Sequence, residues 1–271
     1  MQDADNDEQG DQANVPDDAF GRSILLGTDP GWRTGRALFR RLPSDPRCKL
    51  CASPFGGPIG RIMSTVGKAP WPKNPRYCGA CFRFLSSHRG GAEIACSMLF
   101  ADVRGSTTMA EGMRPAAFRQ LMDGFFEVAA RVLVDHDGIV DKFVGDEVVG
   151  LFIPALTGDA HARRAITAAQ ALLAATRGRG REPGLPIGAG VHTGIAFVGT
   201  VGEGDHVDFT AMGDTVNVAA RLASAAGADE ILVTTDAAQA AKWPDQGLER
   251  RVLALKGKSQ PTNVIVVVSA G

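Results

Sequence analysis

No apolar run in the 271-residue chain approaches the ~20 residues a membrane-spanning helix needs; stretches such as Val264 to Val268 fall far short. Nor does a charged-then-apolar segment of the secretory kind open the sequence. Both absences lead us to expect a soluble, cytoplasmic protein without a membrane span. Cysteine is scarce, and its count of five is odd, which argues against a complete disulfide framework. Net charge is nearly absent too, with 29 basic against 30 acidic side chains, and no internal repeat is visible. What the chain does have is 44% hydrophobic residues, ample for a buried core, and global disorder is excluded.

The near-zero charge hides an uneven distribution. Residues 1 to 18 hold no Lys or Arg and carry −7, residues 19 to 92 carry +11, and residues 93 to 271 carry −5. The first stretch is rich in Asp, Gln and Asn with almost nothing large and apolar, so it should stay a mobile tail; we place it at residues 1–21. From Arg36 the text is short and punctuated by Pro and Gly, reading as turns held by something other than a hydrophobic core. The cysteines supply that something. Cys48-x-x-Cys51 and Cys78-x-x-Cys81 are two knuckles of four thiolates, the pattern of one structural, tetrahedral zinc, so residues 22–90 read as a small basic zinc-ribbon-like module. Iron-sulfur ligation and redox sensing are the alternatives. Its +11 charge suits nucleic acid, an anionic surface or the protein's own acidic parts; a regulatory or dimer-orienting role is the preferred reading. Cys96 lies in an apolar strand and reads as core. Ser86 to Gly91 looks like a hinge.

Beyond Glu93 the pattern alternates. A strand-like run, Ile94 to Phe100, leads to a helical stretch from Pro115 to Asp135 and two strand-like runs meeting at Gly145-Asp146. A helix over Asp159 to Thr176, a strand at Pro186 to Val191 followed by Gly-rich β text, and a helix from Gly213 to Ala226 follow. Strands at Ile231 to Thr234, Leu248 to Leu255 and Val264 to Val268 close the pattern. The fold class is α/β, an α+β sandwich with helices on a mixed sheet, near the split βαβ plan.

Three segments carry chemistry. In Phe100 to Thr107 a strand ends in Asp102 and turns through Gly105, Ser106 and Thr107 into a helix, a geometry in which amides face an anion and a carboxylate can hold a cation. In Lys142 to Glu147 a tight turn puts Asp146 at a hairpin tip, where adjacent strands could set it beside Asp102; two such carboxylates call for a hard cation between them. In Asp208 to Leu222, Asn217 and Arg221 share a helix face, Arg being suited to drawing charge off a phosphoryl group. A structural turn, a solvated hairpin and an ordinary surface pair are the plain alternatives when each is taken alone.

Together, Phe-Ala-Asp-x-x-Gly-x-Thr, Lys-Phe-x-Gly-Asp and Gly-x-Thr-Val-Asn-x-Ala-x-Arg make residues 93–271 resemble the class III nucleotidyl cyclase catalytic domain, with its ferredoxin-like fold. The resemblance implies that Asp102, Asp146 and the Val103 carbonyl hold two Mg2+ or Mn2+ ions, with Gly105, Ser106 and Thr107 near the nucleotide. It implies that Lys142 and Thr210 read the purine, Thr210 standing where many relatives have Asp, as in the class IIIb adenylate cyclases, some of which respond to bicarbonate. Asn217 and Arg221 match the pair that orients the ribose and stabilises the pentavalent phosphorus. Lys256 matches a lysine on the terminal phosphates, and Lys258 is its rival. Ser106 departs from the Phe of many relatives, which touches local packing more than chemistry. The implied activity is conversion of ATP to cyclic AMP and pyrophosphate by a homodimer whose subunits share each site. A cyclase of GTP or a pyrimidine triphosphate, and a catalytically silent adaptor using the zinc module, are the competing readings.

Overall fold

The computed structural model describes residues 19–42, 46–48, 50–71, 74–87, 90–177, 184–202 and 208–268; of the mobile tail expected over residues 1–21, residues 1 to 18 lie outside them, and residues 19–21 instead begin a helix. The basic segment opens with helices α1 (Ala19–Leu25) and α2 (Pro30–Arg40). Asp29 caps α2 by accepting the Trp32 amide at 2.6 Å, and Pro30 presets the first helical φ. Helix α3 (Gly57–Met63) runs into a π turn at Ser64–Lys68, followed by the ribbon β1 (Pro70–Trp71) and β2 (Asn74–Cys78) and then helix α4 (Gly79–Ser87). This corrects the expectation of bare turns from Arg36 onward. Leu50, Tyr77 and the four knuckle cysteines bury together, giving short helices an apolar surface to dock on. The expected hinge shrinks too: Ser86 and Ser87 finish α4 and Gly91 already begins the next strand, while residues 88 and 89 lie outside the described residues.

The rest of the chain is built on strand β3 (Gly91–Val103), short helix α5 (Ser106–Gly112), helix α6 (Pro115–Asp135), and strands β4 (Ile139–Val144) and β5 (Glu147–Phe152). Helices α7 (Pro154–Thr157) and α8 (His161–Thr176) and strand β6 (Ile187–Val201) complete a βαββαβ unit. Its strand order β4-β5-β3-β6, antiparallel throughout, is the split βαβ plan. Strand β7 (Asp208–Met212) pairs with the far end of β6, and helix α9 (Asp214–Ala225) crosses to β8 (Glu230–Thr234), parallel to β6. Helix α10 (Thr235–Ala240) and strands β9 (Arg250–Leu253) and β10 (Thr262–Val268) extend the sheet as β8-β10-β9. No helix among the described residues is long and apolar enough to cross a membrane.

Strand β3 is apolar on both faces because both are covered. Leu99, Ala101 and Val103 meet α6 and α8, whereas Ile94, Cys96, Met98 and Phe100 meet α9 and the cysteine-bearing segment. Each such large side chain contributes about 1.5–3 kcal/mol through burial. Helix α6 spaces Met122, Phe125, Ala129 and Leu133 along one stripe. Helix α9 lies directly on the backbone of β6: a Cβ at Gly190 would sit 2.4 Å from the Ala223 nitrogen. That close approach fixes the height of the helix carrying Asn217 and Arg221.

Candidate active site

The antiparallel register sets Asp102 opposite Glu147, the first residue of β5. Asp146 precedes it in the turn whose first residue, Gly145, takes a φ of +63°, so the hairpin tip and the end of β3 bring three carboxylates to one corner. Arg104 is their counter-ion, pairing with Asp102. Burial pulls the Arg104 pKa down, and the charges of Asp146 and Glu147 oppose that pull. Burial, then repulsion from Asp146, push the Glu147 carboxyl up to about 7. Arg104 also donates to the carbonyls of Ser224 and Ala226, each at 3.2 Å, and of Ala223 at 3.0 Å, tying the corner to the C-terminus of α9. Asp102 Oδ1 is buried against the Arg104 guanidinium, and Asp146 has no hydrogen-bond partner among the described residues. Three carboxylates at one corner against one guanidinium leave an excess of negative charge that fits hard divalent cations. Val103 ends the strand there, Gly105 turns the chain at φ +73°, and Ser106 and Thr107 begin α5. Arg104 and Glu147 were not singled out from the sequence; only the register and the charge deficit give them roles.

Lys142 and Thr210, distant in sequence, meet at 3.1 Å with Lys142 Nζ donating to the hydroxyl. Their strands are not neighbours, since β5, β3 and β6 lie between β4 and β7. The β6–β7 arm therefore curls back over the sheet, anchored where Phe209 and Ala211 join the cluster of Met98 and Leu151. A third residue completes the link. Thr210 Oγ1 donates to Asp141 Oδ2 at 2.9 Å, and Lys142 Nζ lies 3.6 Å from the same oxygen. The β4–β5 register slips between Val140 and Lys142, leaving Asp141 as an extra residue, and this bulge turns two consecutive side chains toward Thr210. The Asp141 side chain is only 2% exposed, and its carboxyl is pushed up to about 6 by burial, which outweighs the attraction of Lys142. Sequence reading passed over Asp141 because a residue next to Lys142 on a regular strand faces away.

On α9, Asn217 is exposed and Arg221 half-buried one turn later; neither has a hydrogen bond or ion pair among the described residues. The Arg221 guanidinium lies over Gly257, whose φ of +74° suits glycine and whose added Cβ would come within 3.2 Å of Nη2. Lys258 is committed to Asp214 at 2.6 Å, holding its loop to the first turn of α9. Lys256 is exposed and uncommitted, so of the two lysines it is the one available to a phosphate.

The four knuckle cysteines are free thiols with exposures of 6% or less, and their sulfurs lie within 4.8 Å of one another. Cys51 and Cys78 Sγ are 3.7 Å apart, close to the ~3.8 Å edge of a tetrahedron with Zn–S bonds of about 2.3 Å. The Cys78 amide donates to Cys48 Sγ at 3.2 Å and the Cys81 amide to Cys78 Sγ at 3.4 Å. Hydrogen bonding among the thiols splits the set, drawing Cys48 down to about 7 and Cys78 lower still while pushing Cys51 and Cys81 up. The donor set and spacing fit zinc. Cys96 is separate, wholly buried, its thiol pushed up to about 12 by burial.

Residues 92–267 match the adenylate and guanylate cyclase catalytic domain, and the chain belongs to that family. Adenylate cyclase 1 of Rhizobium meliloti is 36% identical over 146 residues, covering 51% of this chain but only 22% of that protein's length. Two solved structures share the fold. The guanylyl cyclase Cya2 superposes with a TM-score of 0.62 at 25% identity, covering 67% of this chain and 95% of its own. The adenylyl cyclase CyaB from P. aeruginosa gives 0.59 at 29% identity, covering 66% and 96%.

Proposed function

We propose that the chain is an adenylate cyclase, converting ATP to 3′,5′-cyclic AMP and pyrophosphate. The observation that carries this reading is the Lys142–Thr210–Asp141 link, a donor and an acceptor held side by side as an adenine edge requires. Asp102, Asp146 and the Val103 carbonyl would hold two Mg2+ or Mn2+ ions. Cations held there would lower the pKa of the ribose 3′-hydroxyl, whose proton leaves to solvent, and would offset the triphosphate charge, so no side-chain nucleophile is needed. The amides at Gly105, Ser106 and Thr107 receive phosphate oxygens and Lys256 steadies the terminal phosphates. Asn217 orients the ribose while O3′ bonds to the α-phosphorus and the bond to the leaving pyrophosphate breaks. Arg221, with no hydrogen-bond or ion-pair partner among the described residues, draws off the charge that builds on the phosphoryl oxygens.

The active form in this reading is an isologous homodimer in which Asp102 and Asp146 of one subunit face Lys142, Thr210, Asn217 and Arg221 of the other. Phe143, Val144, Ile195 and Met212, large apolar residues 43–61% exposed on β4, β6 and β7, supply a surface for a second copy. The cysteine module, residues 22–90, carries one structural zinc and orients or regulates the dimer; its packing against β3 supports this over nucleic-acid binding. A cytoplasmic, reducing setting suits both the thiols and ATP. The second reading, GTP as substrate, draws on the likeness to the guanylyl cyclase Cya2. Incubation with each of four nucleoside triphosphates plus Mg2+ or Mn2+, with Asp146→Ala as control, tests it: cyclic AMP as the main product is expected, cyclic GTP would install the second reading, and no cyclic product would leave an adaptor.

A further inference from the structure

Resting on the assignment of Lys142 and Thr210 to the base, we propose that Asp141 is a specificity-determining positioning residue: its carboxylate takes the only proton of the Thr210 hydroxyl, so the pocket offers the base a fixed donor beside a fixed acceptor and selects amino over oxo nucleobases.

The argument is an inventory of protons. A threonine hydroxyl has one hydrogen and two lone pairs, a lysine ammonium only donates, and an ionised carboxylate only accepts. Lys142 Nζ lies 3.1 Å from Thr210 Oγ1 and occupies one lone pair. The hydroxyl proton has two acceptors in reach, Asp141 Oδ2 at 2.9 Å and the Ala211 carbonyl at 3.4 Å. The shorter bond ends on a charged oxygen and wins. Thr210 is left with one lone pair to present, and Lys142 with spare N–H groups. The other carboxylate oxygen, Asp141 Oδ1, is buried with no hydrogen-bond partner, so the pocket is short of donors.

An adenine edge matches what the pocket presents: its ring nitrogen N1 accepts from the ammonium and its exocyclic N6 amine donates to Thr210. A 6-oxo purine presents the inverse at the same two positions, N1–H against the ammonium and a carbonyl oxygen against the lone pair. Cytosine repeats the adenine order, so ring size must separate it. A lone threonine could rotate its hydroxyl to meet either an amine or a carbonyl at the 6-position; the buried carboxylate behind it removes that freedom.

The test compares kcat/KM for ATP and ITP, which differ in this edge alone, in the full chain and in two variants, with thermal unfolding as the check on folding. The unmodified protein should prefer ATP by about a hundredfold or more. Asp141→Val fills the space without an acceptor, frees the hydroxyl to donate outward, and should cut the ATP/ITP ratio by about tenfold or more. Asp141→Asn retains a carbonyl oxygen that can accept the same proton and should keep the ratio within about threefold. An unchanged ratio in Asp141→Val, or equal collapse in both variants, overturns the proposal. Should the Val variant not fold, purine riboside triphosphate, which lacks any 6-substituent, decides on the unmodified protein: it must fall between ATP and ITP, and ITP turning over as well as it does refutes the fixed acceptor. Absence of any cyclase activity in the unmodified protein refutes the parent reading, a separate outcome.

Discussion

Two corners of the molecule gather acidic ligands, and they are built to opposite rules. The four cysteines form a closed set, nearly inaccessible, with sulfurs at tetrahedral spacing and backbone amides already donating to them. Asp102, Asp146 and Glu147 form an open set in which Arg104 is the guanidinium that pairs with Asp102, among the described residues. Soft ligands that enclose an ion make it part of the core; hard ligands that stop short of enclosing one leave coordination positions for substrate oxygens. The difference predicts that one corner governs folding and the other turnover.

Paired substitutions should show the largest effects. Cys78→Ser removes a wholly buried thiol from the closed set, and metal in comparable small Cys sites supplies roughly 10 kcal/mol. We expect loss of bound zinc, measured by elemental analysis, and a collapse of soluble yield or a fall in Tm on the order of 15 °C. Asp146→Ala should leave Tm within about 2 °C and lower turnover by about a thousandfold, the several kcal/mol that metal-assisted displacement supplies. A Cys78→Ser protein that melts like its parent would erase the contrast.

Arg221→Ala comes next and sharpens the open side. The guanidinium rests on Gly257 and has no competing partner among the described residues, so its removal should cost kcat about a hundredfold with KM little changed. Steady-state kinetics decide this, and equal losses in affinity and rate would strip Arg221 of a transition-state role.

How much of this could be read from the letters depended on whether the signal was local. Helix α6 begins at Pro115 and ends at Asp135 as expected, because a proline at the first position and a long apolar stripe mark it in sequence alone. The hairpin at Gly145-Asp146 and the cysteine knuckles were equally local. The strand expected at Pro186 to Val191 and the Gly-rich β text expected after it form one strand, β6, running to Val201, because the Gly- and Thr-rich second half is held by pairing with β3 and β7. The strand expected over Leu248 to Leu255 keeps only Arg250–Leu253, and α10 went unanticipated in Ala-rich text with little amphipathic contrast. In the proposed site, residue types and spacing single out Asp102, Asp146, Asn217 and Arg221. Asp141, Glu147 and Arg104 acquire roles only from a bulge, a register and a charge deficit, which are properties of the folded sheet.

The smallest expected effect probes the charge deficit itself. The ordinary value for Glu147 is 4.5, and in the folded chain burial and Asp146 raise it to about 7. Between those values the folded state binds a proton that the unfolded chain releases, so this group's stabilisation is complete below pH 4.5 and is lost as pH rises through 7. Glu147→Gln carries no charge to lose. Without added divalent cation it should melt with its parent near pH 4.5 and above it at pH 8, by about 2–4 °C, on the order of 1 kcal/mol once solvent screening of a partly exposed group is discounted. Taking the difference between parent and variant removes the contribution of Asp141, which shifts in the same direction. Added Mg2+ at pH 8 should raise the parent's Tm and narrow the gap, because a cation supplies the charge that Arg104 alone does not. Parallel melting curves for the two proteins across the whole range would mean that the carboxylate corner is as self-sufficient as the cysteine one, and the two would no longer be opposites.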